Sequence, residues 1–188
     1  MELIEYLDES REVLDTFRDN PPIAEVNRAI DLLTEALTSS RPVLVCGNGG
    51  SASDALHIAA ELVGRFRRER RAGNCICLSS NPAVITAWAN DYEYDSVFAR
   101  QVEAHGASGG VLLGLSTSGS SGNVVQAFEA ARASGMSTIG ITGQGGGLLA
   151  PISDVLLTVP STVTQYIQQV HICLYHYICQ EVEERLAR

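Results

Sequence analysis

Five short apolar runs constrain the fold of this chain more than any other feature of its sequence. They occupy residues 43–46, 75–78, 111–115, 137–142 and 154–159, and mostly helical apolar spacing fills the intervals between them. The runs do not alternate clearly between apolar and polar residues, which is typical of parallel strands buried on both faces. They therefore predict an α/β fold, with a doubly wound five-stranded parallel sheet flanked by helices.

Helical segments are predicted at both ends of the chain. Apolar residues at helical spacing lie on both sides of an Asn-Pro-Pro break at residues 20–22, and they predict two helices within residues 1–40. A further apolar stripe predicts a helix over about residues 163–186. Because 188 residues suit one hydrophobic core, we expect a single domain, with an α/β core at 41–188 and the amino-terminal helical pair used in packing or oligomerisation.

Composition and charge argue against several classes of protein. The formal net charge is −9 and the sequence pI is about 4.8, which disfavours sequence-independent binding to nucleic acid. Every apolar run is shorter than the roughly 20 residues that cross a bilayer, so we expect no membrane span. The acidic amino terminus lacks the pattern of a secretory signal, so a cytoplasmic location is expected. The five cysteines are interpreted as buried, reduced thiols.

The turn after the third predicted strand is rich in hydroxyl groups. It reads Ser116-Thr-Ser-Gly-Ser-Ser-Gly-Asn123, with five hydroxyl side chains and two glycines directly before a helix predicted to begin near Asn123. Free backbone N–H groups at a helix start, together with small hydroxyl donors, favour binding of a phosphate. The alternative is an ordinary helix cap with a flexible turn, since the same residue types serve there.

The turn after the first predicted strand, Gly47-Asn-Gly-Gly-Ser51, is compatible with a tight turn or with close approach of a ligand to the backbone. It lacks the three-glycine spacing of the dinucleotide fingerprint, and the chain has no Gly-Lys-Ser or Gly-Lys-Thr of a P-loop. We therefore expect no nucleotide cofactor.

Two helices carry candidate acid, base and metal-binding groups. His57 and Glu61 are four residues apart, which places both on one helix face. The pair is compatible with an exposed contact, two metal ligands or part of an acid/base site. The predicted last helix is largely apolar but carries Gln168, His171 and His176, and polar groups on a buried helix need partners.

A basic cluster at residues 65–71 follows the His57–Glu61 helix. It is interpreted either as a solvated helix end or as a surface that attracts an anion or a neighbouring subunit.

With these residues identified, the sequence resembles a sugar isomerase (SIS) domain with a flavodoxin-like sandwich, and specifically the phosphoheptose isomerase family. The resemblance extends from about residue 44 to the carboxyl terminus, and the amino-terminal helices fit only in pattern. The matching motifs are Cys46-Gly-Asn-Gly-Gly-Ser51, His57 with Glu61, Ala89-Asn-Asp91, Leu115-Ser-Thr-Ser-Gly119, and Ile167-Gln-Gln-Val-His171 leading to His176.

The resemblance implies a substrate site at both turns. Four residues of the hydroxyl-rich turn would hold a phosphate: Ser116, Thr117, Ser118 and Ser121. The residues that would contact the rest of the substrate are Asn48, Gly49, Gly50, Ser51, Asn90, Asp91, Gln168 and Glu61.

The resemblance further implies an aldose–ketose isomerase that converts D-sedoheptulose 7-phosphate to D-glycero-D-manno-heptose 7-phosphate through an enediol, the first step of ADP- or GDP-heptose biosynthesis. Glu61 would be the base and His176 the acid. Some relatives bind Zn²⁺ through residues matching His57, Glu61, Gln168 and His176. Family members assemble as homotetramers, so a homo-oligomer is expected. The alternatives are an isomerase of another sugar phosphate, or a non-catalytic adaptor that associates with the replication initiator, although matching positions of that relative lack the Glu–His set.

Overall fold

The computed structural model describes residues 2–187, which fold into a five-stranded parallel sheet flanked by helices. The strands are β1 (Val43–Gly47), β2 (Cys75–Cys77), β3 (Val111–Ser116), β4 (Ser137–Thr142) and β5 (Val155–Thr158). The α-helices are α1 (Leu3–Asp19), α2 (Ile23–Thr38), α3 (Gly50–Val63), α4 (Pro82–Asp91), α5 (Val97–His105), α6 (Gly122–Ala133) and α7 (Thr164–Leu186). Short 3-10 helices lie at Tyr94–Ser96 and Gly147–Ile152.

The strand order β2-β1-β3-β4-β5 decides where a ligand can bind. The chain runs from β1 outward to β2 and then crosses back to place β3 on the other side of β1. Gly47 of β1 lies opposite Leu115 of β3 in the parallel register. The turns after these two strands therefore leave the same edge of the sheet, at the topological switch point where open α/β sheets bind ligands.

Both faces of the sheet are covered by helices. On one face, alternate strand residues such as Val45 and Leu113 pack against α2, α3 and α7. On the other face, Leu44 and Leu112 pack against α5 and α6. This arrangement confirms the doubly wound sandwich, and the lack of alternation in the strands follows from burial on both faces.

The element bounds differ slightly from the predicted ones. β5 begins at Val155 and ends at Thr158, one residue inside the predicted run at each end. α3 ends at Val63, because the chain turns away at Gly64. The cysteine prediction is wrong at one position: Cys173 is exposed on α7, whereas the other four thiols are buried. Among residues 2–187, none of the helices is long and apolar enough to cross a membrane.

Candidate active site

The hydroxyl-rich turn joins the end of β3 to the first residue of α6. Ser116 Oγ lies 3.0 Å from Ser121 Oγ and 3.4 Å from Ser118 Oγ, so the three hydroxyls face one another. Gly119 holds the bend with φ +64°, and a Cβ there would collide with the carbonyl oxygen of Gly146. A side chain is excluded at this position by both conformation and space.

The contacts of Ser121 bear on whether this turn is a phosphate site or an ordinary helix cap. Ser121 is the N-cap residue of α6, yet its side chain makes no capping hydrogen bond and contacts Ser116 instead. The N–H groups of Val124 and Val125 both bond to the carbonyl oxygen of Ser121 at 3.0 Å, whereas those of Gly122 and Asn123, the first two of α6, have no carbonyl partner among the described residues. Hydroxyls gathered in front of two unpaired N–H groups at a helix start are suited to binding an anion.

The glycine-rich turn after β1 is hydrogen-bonded to the hydroxyl-rich turn. The amides of Asn48 and Asn123 exchange two hydrogen bonds of 2.8 Å each, and Tyr94 donates its hydroxyl proton to Asn48 Oδ1 at 2.8 Å. Asn123 is 1% exposed. Gly49 in the same turn has φ +55°, and α3 begins at the next residue. The two predicted ligand turns are thereby held side by side.

Asn123 and Tyr94 are candidate site residues that the sequence analysis did not predict. Asn123 ends the hydroxyl-rich turn in the sequence, where its position predicts only the start of a helix. Tyr94 lies three residues after Asp91, in the 3-10 helix that follows α4. Asn90 and Asp91 hydrogen-bond each other at the exposed end of α4, with Nδ2 and Oδ1 2.9 Å apart.

The structure brings His57, Glu61 and His176 together. His57 Nε2 lies 3.1 Å from Glu61 Oε1 and 3.4 Å from His176 Nε2. One donor atom from each of the three residues lies within 4.8 Å of the others. The first two residues belong to α3 and the third to α7, so packing of these two helices makes the cluster. The side chain of His57 is 43% exposed and that of Glu61 is 18% exposed, so the cluster is accessible to solvent.

The spacing of these donors fits a metal ion. Four ligands at tetrahedral angles and Zn–N or Zn–O bonds of about 2.1 Å are separated by about 3.4 Å from one another. Both measured separations of His57 Nε2 are close to that value. Two imidazoles and a carboxylate are also a ligand set that Zn²⁺ prefers.

The two remaining polar residues of α7 have different environments. Gln168 lies against the start of α3, where a Cβ on Gly50 would come within 2.5 Å of its Nε2. His171 is fully buried, and its Nε2 lies 3.2 Å from the carbonyl oxygen of Thr142. Burial lowers the pKa of His171 to about 4 despite this hydrogen bond. His171 is therefore a neutral core residue.

The segment after α3 is docked on α7. Glu183 accepts hydrogen bonds from the backbone N–H groups of Phe66, Arg67 and Arg68, at 2.6 to 2.9 Å. The Arg70 side chain, 1% exposed, lies 3.6 Å from the Glu183 carboxylate and donates to the carbonyl oxygen of Glu61 at 2.7 Å. The basic cluster is thus partly neutralised by the chain itself rather than fully solvated.

This docking closes one wall of the cluster of His57, Glu61 and His176. The Phe66 ring lies over the His176 imidazole, with centroids 5.7 Å apart and planes tilted by 33°. Burial opposes ionisation of Glu183, but three backbone N–H donors and the charge of Arg70 outweigh it and lower the pKa of the carboxyl.

Comparisons with known proteins agree on the family. Residues 5–143 match the family model described as the SIS domain, so the match includes the amino-terminal helices. A phosphoheptose isomerase from Rhodospirillum rubrum is 50% identical over 166 residues, which cover 88% of this chain and 87% of the relative. The chain belongs to the phosphoheptose isomerase family.

Solved structures of the phosphoheptose isomerase family have the same fold. The phosphoheptose isomerase from Neisseria gonorrhoeae superposes with a TM-score of 0.90 at 37% identity, covering 97% of both chains. The one from Francisella tularensis gives a TM-score of 0.92 at 32% identity, covering 97% of this chain and 96% of that one. The resemblance stated from the motifs is confirmed, as are the predicted fold and the enzyme class.

Proposed function

We propose that this member of the phosphoheptose isomerase family converts D-sedoheptulose 7-phosphate to D-glycero-D-manno-heptose 7-phosphate, the first step of ADP- or GDP-heptose biosynthesis. One observation carries the proposal: a carboxylate and an imidazole from two separate helices, those of Glu61 and His176, lie together within the cluster that also contains His57. Isomerisation of a ketose to an aldose needs a base for a carbon-bound proton and an acid for the neighbouring oxygen.

The proposed reaction uses Glu61 and His176 as proton carriers. Glu61 takes a proton from C1 of the ketose while His176 donates a proton to the carbonyl oxygen on C2, which gives the enediol. Removal of the proton from the oxygen on C1 and return of a proton to C2 then gives the aldose. No electrons leave the substrate, so the reaction needs no redox cofactor.

The hydroxyl-rich turn is the proposed phosphate site, with Ser116, Thr117, Ser118 and Ser121 as its donors. The contact between Ser116 and Ser121 and the uncapped start of α6 support this assignment. From Gly50 at the start of α3 to His57 the helix rises by about 10 Å. The phosphate and the reacting carbons would therefore lie at opposite ends of an extended sugar phosphate.

Residues between these two ends are proposed to bind the sugar hydroxyls. They are Asn48, Gly49, Gly50, Ser51, Asn90, Asp91 and Gln168. The amide pair of Asn48 and Asn123 supports the assignment, because it fixes the glycine-rich turn beside the phosphate site. Close packing of Gln168 on Gly50 places a further amide at this end of α3.

Zn²⁺ is the proposed metal, held by His57, Glu61 and His176 with Gln168 as the fourth ligand. When bound, zinc polarises a carbonyl group and stabilises the charge of an enediolate. A carboxylate has two oxygens, so Glu61 could contribute to a metal site and still have an oxygen that accepts a proton.

Assembly as a homotetramer in the cytoplasm is also proposed. Leu3, Ile4 and Leu7 of α1 are all at least half exposed. Neighbouring exposed apolar side chains are typical of a surface that packs against another protein chain. Residues 1–40 would then contribute the packing surface of a single-domain subunit. A non-catalytic adaptor is the alternative, but it has no use for the assembled Glu61–His176 pair.

The proposal is tested by giving purified protein sedoheptulose 7-phosphate in D₂O and following the sugar by NMR. We expect an aldoheptose 7-phosphate that carries deuterium at C2, because the proton passes through an exchangeable base. Glu61→Gln should lower turnover by about 10²–10⁴-fold, as for loss of a general base. Glu129→Gln, at an exposed position of α6, is the matched control. Unchanged turnover in Glu61→Gln would reject the assigned base.

A further inference from the structure

Tyr175 lies on the buried side of the cluster of His57, Glu61 and His176. Its ring is 1% exposed between α3 and α7. The hydroxyl oxygen lies 3.0 Å from Nδ1 of His57 and donates to Oδ1 of Asp54 at 3.4 Å. Asp54 is itself 7% exposed and stands one helical turn before His57 on α3. A buried phenol therefore bridges a buried carboxylate and one of the proposed zinc ligands.

The two ring nitrogens of His57 face different surroundings. Nε2 points to Glu61 and His176, whereas Nδ1 points to the phenol oxygen of Tyr175. A neutral imidazole carries one proton, so the hydrogen bond at one nitrogen decides whether the other has a proton or a free lone pair. A metal ion in the cluster with Glu61 and His176 needs the lone pair on Nε2 of His57.

The hydroxyl of Tyr175 has a single proton to donate. When that proton goes to Asp54, the phenol oxygen becomes an acceptor, and Nδ1 of His57 must supply the proton between them. His57 then carries its proton on Nδ1 and directs a lone pair from Nε2 toward Glu61 and His176. Partners of this kind behind a metal-binding histidine fix its tautomer and orientation.

We infer that Tyr175, oriented by Asp54, is a positioning residue that holds His57 in the tautomer required for metal binding. The inference rests on the proposed zinc site and concerns residues that touch neither metal nor substrate. It gives a role to a buried hydroxyl and a buried carboxylate in the interface between α3 and α7. Burying such polar groups costs folding free energy unless they are hydrogen-bonded.

A substitution can separate the role of the Tyr175 hydroxyl from the packing of the Tyr175 ring. The Tyr175 ring makes edge contacts with the imidazoles of His57 and His176, at centroid distances of 5.5 and 4.9 Å. Tyr175→Phe keeps these contacts and removes only the oxygen. Tyr177→Phe, two residues along α7, makes the same chemical change at a side chain that is about half exposed, and serves as the control.

The test measures zinc binding to the metal-free, full-length protein by competition with a chromophoric chelator. We expect Tyr175→Phe to weaken zinc affinity by about 10–100-fold, the usual effect of losing such a partner. The control variant should keep the wild-type affinity. Substrate is absent from the measurement, so a failure of the proposed isomerase activity would appear separately, in the turnover assay.

A spectroscopic readout distinguishes positioning from general loss of structure. In zinc-loaded wild type, ¹⁵N NMR of labelled histidine should show His57 with a proton on Nδ1 and zinc on Nε2. In metal-free protein, Tyr175→Phe should shift His57 toward the tautomer with the proton on Nε2. Wild-type zinc affinity with an unchanged tautomer in Tyr175→Phe would overturn the inference, as would a wild-type protein that does not bind zinc.

Discussion

The side-chain amides of Asn48 and Asn123 exchange two hydrogen bonds of 2.8 Å each, across 75 residues of sequence. Tyr94 fixes the orientation of the first amide by donating to its oxygen. The pair ties the turn after β1 to the first turn of α6, which are the two segments expected to face the substrate. These hydrogen bonds therefore fix the position of one turn relative to the other.

Changing this pair should impair binding of a phosphorylated substrate. Asn123→Asp would set a carboxylate oxygen against Asn48 Oδ1 and add a negative charge beside the phosphate site. We expect KM to rise by more than about tenfold and unfolding free energy to fall by about 1–3 kcal/mol, since a buried hydrogen bond is replaced by repulsion. Steady-state kinetics and urea unfolding measure the two effects. Asn27→Asp, at an exposed position of α2, makes the same charge change and should alter neither quantity.

Removing a hydroxyl from the proposed phosphate site should weaken substrate binding more than it lowers the rate of the chemical step. For Ser121→Ala we expect a rise in KM of about 10–100-fold, in the range of a lost hydrogen bond to a charged group, with kcat much less affected. Ser134→Ala, at the other end of α6, removes a hydroxyl that bonds only to the helix carbonyl of Ala130 at 2.9 Å. Equal KM values for both variants would contradict the phosphate assignment.

Glu183 should stabilise the folded protein through the segment it holds. A glutamine there offers one acceptor oxygen to three backbone N–H groups and leaves Arg70 without a buried counter-charge. We expect Glu183→Gln to lower the free energy of unfolding by about 3 kcal/mol, as for a broken buried ion pair. The next residue provides the control: Glu184 pairs with Arg68 at the surface, and Glu184→Gln should cost less than about 1 kcal/mol. Urea unfolding of the wild type and of both variants measures these changes in free energy.

His171 should make stability fall in mild acid. Its pKa is about 4 in the fold against an ordinary value of 6.5, so the unfolded chain binds more protons between these values. Stability contributed by the neutral ring is complete above pH 6.5 and is lost as the pH falls toward 4, by on the order of 3 kcal/mol.

Unfolding curves recorded between pH 4 and 7 test this dependence. His171→Gln, which retains a donor for the carbonyl of Thr142 but does not titrate, should flatten the curve of stability against pH. His105→Gln, at the exposed end of α5, should leave its slope unchanged. A steep slope that persists without His171 would assign the acid sensitivity to other groups.

The sequence alone determined the local elements and the chemistry of the turns. Strand burial on both faces was readable from the apolar runs, and a shared helix face for His57 and Glu61 followed from their spacing, because both depend on residues close together in the chain. The hydroxyl-rich turn was recognisable for the same reason.

Tertiary structure decided which of these elements meet. His176 reaches His57 across 119 residues, and Glu183 reaches Phe66 across 117, because the strand order places α3 and α7 on the same face of the sheet. The roles of Asn123, Tyr94 and Tyr175 depend on such contacts, and no local periodicity encodes them. Distances between side chains on different elements are set by packing of the whole core, to which every strand and helix contributes.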